Sequence, residues 1–151
     1  MDLLTHFVTI GTRDREETLG IVEGDRTILS DWGEIAEECW LEIPRHFPYA
    51  VLDEHVIMPN HMHGIIILKG KRGKDFGEEG FGKPVRGSLS TILRSYKSAV
   101  TRTINRARHG HGFVWQGGFH EHRIRDEEEL ERIRRYIREN PRKWSQERKE
   151  G

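Results

Sequence analysis

Runs of apolar and β-branched residues divide the first half of the chain into short strands. The runs predict five strands, at His6–Thr12, Leu19–Val22, Thr27–Leu29, Tyr49–Met58 and Met62–Leu68. The second and third runs flank Glu23-Gly24-Asp25, whose turn-forming residues predict a hairpin. The fourth and fifth runs meet at Pro59-Asn60. Two shorter extended segments, Phe113–Gln116 and Phe119–Ile124, are expected on either side of Gly117-Gly118.

A repeat of apolar positions every 3.6 residues predicts three helices, at about 31–43, 88–107 and 126–140. Ser30 or Asp31 can cap the first helix, and Pro44 ends it. The second helix carries its arginines on the face opposite its apolar stripe. Asp126 caps the third helix, which we expect to end before Pro141, because a proline disfavours helix in the preceding residue.

The order of elements is strand, hairpin, helix, two strands, helix, short strand, helix, without an internal repeat. This order predicts an α+β protein with a mostly antiparallel sheet and helices packed on one face, of the ferredoxin-like kind. The length of 151 residues fits a single domain spanning 1–151. Residues 69–87 are rich in Gly, Lys and Glu, and they predict a flexible loop within that domain.

Composition excludes several classes of protein. The chain is 34% hydrophobic and 33% charged, and it has no apolar run long enough to cross a bilayer. We expect no secretory signal, because no long apolar stretch follows the N-terminus. Cys39 is the only cysteine, which excludes an internal disulfide and a cysteine-rich zinc site. A cytoplasmic location fits these features.

Charge is distributed unevenly along the chain, although it sums to zero. Residues 1–56 contain 13 acidic and 4 basic side chains, whereas residues 83–110 contain 7 basic side chains and no acidic one. A surface with one sign of charge favours a polyanionic partner. The alternative is a solvated helix face on which the cations cluster by chance. The cations are Lys83, Arg86, Arg94, Lys97, Arg102, Arg106 and Arg108.

Two histidine pairs are candidates for chemistry. His61 and His63 begin an apolar strand and, being two residues apart, should project from the same face of the sheet. Two neutral imidazoles on one face form a partial metal site with open coordination positions. The alternative is a pair of polar side chains that serve only hydrogen bonding. For the second pair, His120 and His122, we favour a structural role or a substrate contact over metal binding.

The chain has three tyrosines, and one of them is a candidate nucleophile. Tyr49 begins a strand, and Tyr96 lies on the buried stripe of its helix, so both are interpreted as structural. Tyr136 lies at the border of the apolar face of the last helix. Asn140 is four residues later and therefore shares its helix face. Ordinary amphipathic packing is the alternative interpretation of Tyr136.

Two blocks together resemble the single-tyrosine HUH transposases, and most closely their REP-associated tyrosine transposase branch. The segment 52–67, which contains His61-Met62-His63, is similar to the His-hydrophobic-His block of that family. The segment 114–144, which contains Tyr136 and Asn140, is similar to its closing block. The likeness extends over nearly the whole chain, and the two blocks in combination are far more specific than either histidine pair.

The resemblance implies a fold of the HUH endonuclease type and a metal-dependent transposase. Such an enzyme cleaves and rejoins single-stranded DNA, often near hairpins, through a 5′-phosphotyrosine. By position, His61 and His63 match the metal-binding pair, Tyr136 matches the nucleophile, and Asn140 matches a third, amide ligand. The implied cofactor is a divalent metal, Mg²⁺ or Mn²⁺. Imidazole ligands suit Mn²⁺ better, because Mg²⁺ prefers oxygen.

The resemblance also implies a partner, single-stranded or hairpin DNA, and with it an association with the nucleoid. Related transposases include dimers and single-subunit forms, so a homodimer is compatible with the sequence. Aromatic side chains such as Phe113, Trp115 and Phe119 are expected to stack on unpaired bases. The expected DNA-binding residues are Lys83, Arg86, Arg94, Lys97, Arg102, Arg106, Trp115, Gln116 and His122.

Two other functions stay open at this point. A two-histidine phosphoesterase normally needs Thr or Ser two residues after each histidine, and His stands there in both pairs of this chain. A catalytically inactive protein that only binds DNA hairpins is the second alternative. The intact set of His61, His63, Tyr136 and Asn140 argues against such a loss of activity.

Overall fold

The computed structural model describes residues 3–69, 88–107 and 112–150. The strands in these residues are β1 (Leu3–Gly11), β2 (Gly20–Glu23), β3 (Arg26–Leu29), β4 (Ala50–Met58), β5 (His61–Lys69) and β6 (His120–Ile124). The helices are α1 (Asp31–Leu41), α2 (Ile43–His46), α3 (Ser88–Arg106) and α4 (Glu127–Glu150). None of these helices is long and apolar enough to cross a membrane. Apart from Lys69, the predicted loop lies outside the described residues.

Four strands form an antiparallel sheet in the order β4-β5-β1-β6. The central pair, β1 and β5, is in register from Leu3 opposite Lys69 to Gly11 opposite His61. The two remaining strands, β2 and β3, form a separate hairpin. This arrangement confirms the predicted α+β fold with an antiparallel sheet.

One face of the sheet packs on α1 and α3 and contains the larger core. Val8 and Ile10 of β1 and Met62 and Ile66 of β5 are fully buried there. Trp40 of α1 is also fully buried in this core. Its ring lies so close to the sheet that a Cβ at position 64 would be 2.3 Å from it, which explains the glycine in the middle of β5.

The opposite face of the sheet is covered by α4. Ile65 of β5 packs there with Ile124, Leu130 and Ile137 in a second hydrophobic cluster. The expectation that all helices lie on one face was therefore wrong for the last helix. The reason is that β5 is apolar at successive positions, from Ile65 to Leu68, so both of its faces must be shielded from water.

The last helix also continues through Pro141, where the sequence predicted that it would end. Pro141 is buried, and the helix beyond it is attached to the β2–β3 hairpin and the segment before it. Ser145 Oγ donates a hydrogen bond to the Gly24 carbonyl at 2.8 Å, and Arg148 forms an ion pair with Glu17. These tertiary contacts offset the backbone hydrogen bond that a proline removes from a helix.

Candidate functional site

The histidine pair at the start of β5 lies on the sheet face that α4 covers. His61 and His63 project together, as the two-residue spacing predicted, with ring centroids 4.6 Å apart. His63 is 6% exposed, so most of its ring is removed from water. The Phe7 ring from the neighbouring strand stacks on it at 5.3 Å.

Each imidazole is oriented by a hydrogen bond at Nδ1. His61 Nδ1 donates to the Asn60 amide oxygen at 2.7 Å, because that oxygen can only accept. His63 Nδ1 lies 2.8 Å from Thr9 Oγ1, and that hydroxyl can accept its proton. In this tautomer both Nε2 atoms carry a lone pair. Such an outer partner is the usual support of a metal-binding histidine.

Both imidazoles are held neutral. Burial, with a smaller contribution from the positive charge of Arg15, lowers the pKa of His61 to about 4. Burial, followed by the neighbouring His61, lowers the pKa of His63 to about 3. The neutral imidazole is the form that binds metal ions.

Tyr136 is brought to this pair by α4 of the same chain. Its ring centroid is 5.5 Å from that of His63 and 6.1 Å from that of Phe7. The side chain is 43% exposed, whereas the next residue, Ile137, is fully buried against the sheet. Tyr136 therefore has its ring against His63 and access to solvent, which a nucleophile needs in order to reach a substrate.

Asn140 is one helical turn beyond Tyr136, and Trp144 is one turn further. The Trp144 ring lies 6.3 Å from the His61 ring, so the helix face that carries these three residues runs past the histidine pair. Asn140 Nδ2 donates to the Tyr136 carbonyl at 3.3 Å, which leaves its amide oxygen for another partner. Two imidazoles and an amide oxygen are donors that suit a divalent metal with open positions, but Asn140 is not among the residues that line the cleft beside the histidines. Among the described residues, no group of three His, Cys, Asp or Glu side chains could hold a metal.

Ion pairs attach α4 to a bulge in β4, where the register shifts between Leu52 and His55. Arg134 Nε and Nη2 donate to the two carboxylate oxygens of Asp53 at 2.8 and 2.7 Å. These hydrogen bonds hold the pKa of Asp53 below its ordinary value. Arg138 Nη1 donates to Glu54 at 3.0 Å in the next turn. The paired arginines fix the helix two residues before and two residues after Tyr136.

A cleft of about 920 Å³ opens between the histidines, Tyr136 and the loops beside them. Its second wall is the segment 116–119, which Lys97 of α3 holds in place. Lys97 Nζ donates to the carbonyls of Gln116 and Gly118, both at 2.9 Å. Burial lowers the pKa of Lys97. The structure thus brings Gln116 to the cleft and Lys97 directly behind it.

Other residues expected to bind DNA lie elsewhere. Arg94, Arg102 and Arg106 are exposed on α3, which covers the sheet face opposite the histidines. His122 lies on the cleft side of the sheet but is hydrogen-bonded to Glu129 of α4 at 2.7 Å, and it does not line the cleft. Lys83 and Arg86 fall outside the described residues.

Two aromatic residues expected to stack on bases are core residues instead. Phe113 is 5% and Trp115 is 9% exposed, and their rings pack edge to face at 4.9 Å. They are covered by α3 and the Trp32 ring. Phe119 is half-buried and lines the cleft, so it retains a face for a ligand.

Sequence reasoning missed several residues of the cleft. Thr9, Arg15 and Asn60 line it. His120, for which the sequence favoured a structural role or a substrate contact, also lines the cleft and stands opposite Thr9 in the β1–β6 pairing. Asn60 could have been found from its place immediately before His61. Thr9 carries no local signal, because its contact with His63 depends on the register between β1 and β5.

A comparison with models of protein families finds no match. An uncharacterized protein of Haemophilus influenzae is 36% identical over 148 residues, which cover 93% of this chain and 82% of that protein. A candidate transposase from Deinococcus radiodurans R1 shares the fold at a TM-score of 0.55 and 13% identity, over 91% of this chain and 90% of the other.

A further solved structure is a REP-associated tyrosine transposase bound to a REP hairpin. It matches with a TM-score of 0.64 and 25% identity, over 92% of this chain and 67% of that one. Its mixed architecture of antiparallel sheet and helices is that of the HUH-type transposases. The chain therefore belongs to the family of the Haemophilus influenzae protein, and its fold and sequence are similar to those of a tyrosine transposase.

Proposed function

We propose that this protein is a metal-dependent single-strand DNA endonuclease and strand transferase of the REP-associated tyrosine transposase branch. It cleaves and rejoins DNA near hairpins through a 5′-phosphotyrosine. The observation that carries the proposal is that Tyr136 and both histidines line one cleft. The ring centroid of Tyr136 is 5.5 Å from that of His63, and the ring centroids of His63 and His61 are 4.6 Å apart. The hairpin-bound transposase of similar fold supports the choice of substrate.

The metal would be held by Nε2 of His61, Nε2 of His63 and the amide oxygen of Asn140. Mg²⁺ and Mn²⁺ are both candidates, and the two imidazoles favour Mn²⁺. When bound, the cation supplies charge neutralisation at a phosphate oxygen. Asn60 keeps His61 in the tautomer that has its lone pair at Nε2, and the Thr9 hydroxyl can accept from Nδ1 of His63 in the same tautomer.

Tyr136 is the nucleophile in this proposal. Its Oη attacks the phosphorus and loses its proton, and the bond between phosphorus and the 3′ oxygen breaks. The 3′ oxygen takes up a proton and leaves as a hydroxyl, while the 5′ phosphate stays on the tyrosine. Attack by another 3′ hydroxyl reverses these steps and joins a new strand, so no nucleotide cofactor is consumed.

The DNA strand is held by the cleft and by the basic surface on the other side of the sheet. Lys97 and Gln116 lie at the wall of the cleft, and the exposed Arg94, Arg102 and Arg106 extend the basic surface along α3. Because Tyr136 and both histidines come from one chain, cleavage does not require a second copy. Exchange of strands between two chains is compatible with a homodimer.

The decisive experiment is a cleavage assay on short DNA hairpins with single-stranded flanks, with Mn²⁺ or Mg²⁺ added. The wild type should form a covalent adduct between protein and DNA, seen as a band that survives denaturation. Tyr136→Phe should lose the adduct and the cleavage completely but bind the hairpin normally. Tyr49→Phe is the matched control, because it removes the same hydroxyl outside the cleft.

Three outcomes would contradict the proposal. Cleavage by Tyr136→Phe would remove the assigned nucleophile. Unchanged activity after combined His61→Ala and His63→Ala would remove the metal site. Hairpin binding by the wild type without any adduct would identify an inactive hairpin-binding protein, and cleavage without an adduct would point to a phosphoesterase.

A further inference from the structure

The turn that follows β1 has an unusual backbone. Asp14 and Arg15 have φ angles of 55° and 56°, which lie in the left-handed region. They are the only non-glycine residues with positive φ in the part of the chain that the structure describes. Two successive residues with a Cβ in this region carry an energetic cost, and such strain clusters at active sites, ligand clamps and switch regions.

Hydrogen bonds from buried groups hold this turn in place. Thr12 is 3% exposed, and its hydroxyl lies 2.7 Å from the Glu16 carbonyl and 3.1 Å from the Asn60 carbonyl. Asn60 Nδ2 donates to the Arg15 carbonyl at 3.4 Å. The amide oxygen of the same asparagine orients His61. The turn is therefore built onto the residue that orients His61.

The turn presents an unpaired cation to the cleft. Arg15 is exposed and lines the cleft together with His61 and Asp14. Its guanidinium forms no hydrogen bond or ion pair with the described residues, although Arg45, Arg134, Arg138 and Arg148 all do. Arg13, on the same turn, does not line the cleft.

We propose that Arg15 binds a backbone phosphate of the DNA strand that occupies the cleft, and that the strained turn exists to aim its guanidinium there. A guanidinium suits this role, because its planar fork donates two parallel hydrogen bonds to phosphate oxygens. The adjacent carboxylate of Asp14 repels the same strand. This inference rests on the proposed function, since it takes single-stranded DNA as the ligand.

The test is binding of a short fluorescent single strand, measured by anisotropy over a series of salt concentrations without added metal. Arg15→Gln should weaken binding about tenfold and reduce the slope of log K against log salt by about 0.7, the value for one phosphate of a single strand. The affinity of Arg15→Lys should lie between those of the wild type and Arg15→Gln, because lysine retains the positive charge but lacks the two parallel donors of a guanidinium. Asp14→Asn should tighten binding, and asparagine tolerates the left-handed backbone.

The matched control is Arg13→Gln, which removes the same charge from a position on the turn outside the cleft and should bind like the wild type. The proposal is overturned if Arg15→Gln and Arg13→Gln have equal affinity and equal salt slopes, or if Asp14→Asn weakens binding. Adduct formation at saturating DNA separates the two proposals. If Arg15→Gln binds like the wild type and the wild type forms the adduct, only the present inference is contradicted. If Arg15→Gln binds more weakly but the wild type forms no adduct, only the catalytic function is contradicted.

Discussion

At the scale of single residues, the chemistry of the cleft depends on which nitrogen of each imidazole carries the proton. Asn60 determines this for His61, because its amide oxygen accepts only. For His63 the neighbour is Thr9, whose Oγ1 lies 2.8 Å from Nδ1 and can accept its proton. Asn60 lies in the turn before β5 and Thr9 lies on β1, so residues outside β5 influence where each of its two histidines carries its proton.

Replacing Thr9 with valine tests this role. Thr9→Val keeps the shape of the side chain but removes the hydroxyl that accepts from His63 Nδ1. We expect the affinity for Mn²⁺ to fall by roughly 10–100-fold, as for other losses of an outer hydrogen bond to a metal ligand. Titration calorimetry with Mn²⁺ measures the change directly.

Thr5→Val is the matched control, because Thr5 lies on the same strand and the same sheet face, four residues from Thr9. It should leave the affinity for Mn²⁺ unchanged. Equal affinity in the wild type and Thr9→Val would show that His63 does not need this hydroxyl in order to bind metal.

At the scale of elements, the important relation is between α4 and the bulge in β4. The bulge turns Asp53 and Glu54 toward the helix, where Arg134 and Arg138 meet them. The side chains of Arg134 and Asp53 are 26% and 15% exposed, so their ion pair is partly shielded from water. This contact holds the helix that carries Tyr136.

Asp53→Asn should lower the free energy of unfolding by about 1.5–3 kcal/mol at neutral pH, the usual contribution of a hydrogen bond to a charged group. The effect depends on pH, because Arg134 lowers the pKa of Asp53 below its ordinary value of 3.8. The ion pair contributes fully above that value, and the contribution is lost as pH falls through the lowered pKa. Urea unfolding at neutral and acidic pH should show the wild type and Asp53→Asn converging in acid.

Glu139→Gln provides the comparison, because Glu139 pairs with Arg142 at 4.0 Å between two well-exposed side chains. It should change stability little at any pH. A difference between wild type and Asp53→Asn that persists undiminished in acid would mean that the carboxylate charge is not what holds the helix.

At the scale of the whole molecule, the basic surface and the cleft lie on different sides of the sheet. The cleft opens on the face covered by α4, whereas Arg94 and Arg102 are exposed on α3 at the other face. Lys97 connects the two, since it lies on α3 and bonds to the wall of the cleft. A DNA hairpin that used both surfaces would pass around the edge formed by β6 and the segment 116–119.

This separation predicts that the α3 cations affect binding and not chemistry. Combined Arg94→Gln and Arg102→Gln should reduce the salt slope of hairpin binding by about 0.7–0.9 for each phosphate that the variant no longer neutralises. The rate of adduct formation at saturating DNA should stay at the wild-type value. Anisotropy titrations and single-turnover cleavage measure the two quantities.

Arg45→Gln is the control for removal of a surface charge, because Arg45 is highly exposed on α2 and pairs with Glu42. It should leave the salt slope unchanged. If the α3 double variant matches Arg45→Gln in salt slope, DNA does not touch α3. If it slows the chemical step at saturation, the two surfaces are coupled.

The sequence by itself determined the elements and the local relations within them. The two-residue spacing of His61 and His63 placed both on one face of a strand, and the four-residue spacing of Tyr136 and Asn140 placed both on one face of a helix. These relations follow from backbone periodicity, which acts over a few residues. Pro141 was the exception among local signals, because distant contacts carry the helix past it.

Only the tertiary structure decided which elements meet. That α4 covers the face with the histidines, that Thr9 contacts His63, and that Trp115 is in the core all depend on strand register and packing between residues far apart in the chain. An apolar strand such as β5 does not reveal which helix covers each of its faces. The juxtaposition of Tyr136, the histidines and the strained Arg15 turn is therefore a property of the assembled fold, and no segment of the sequence contains it alone.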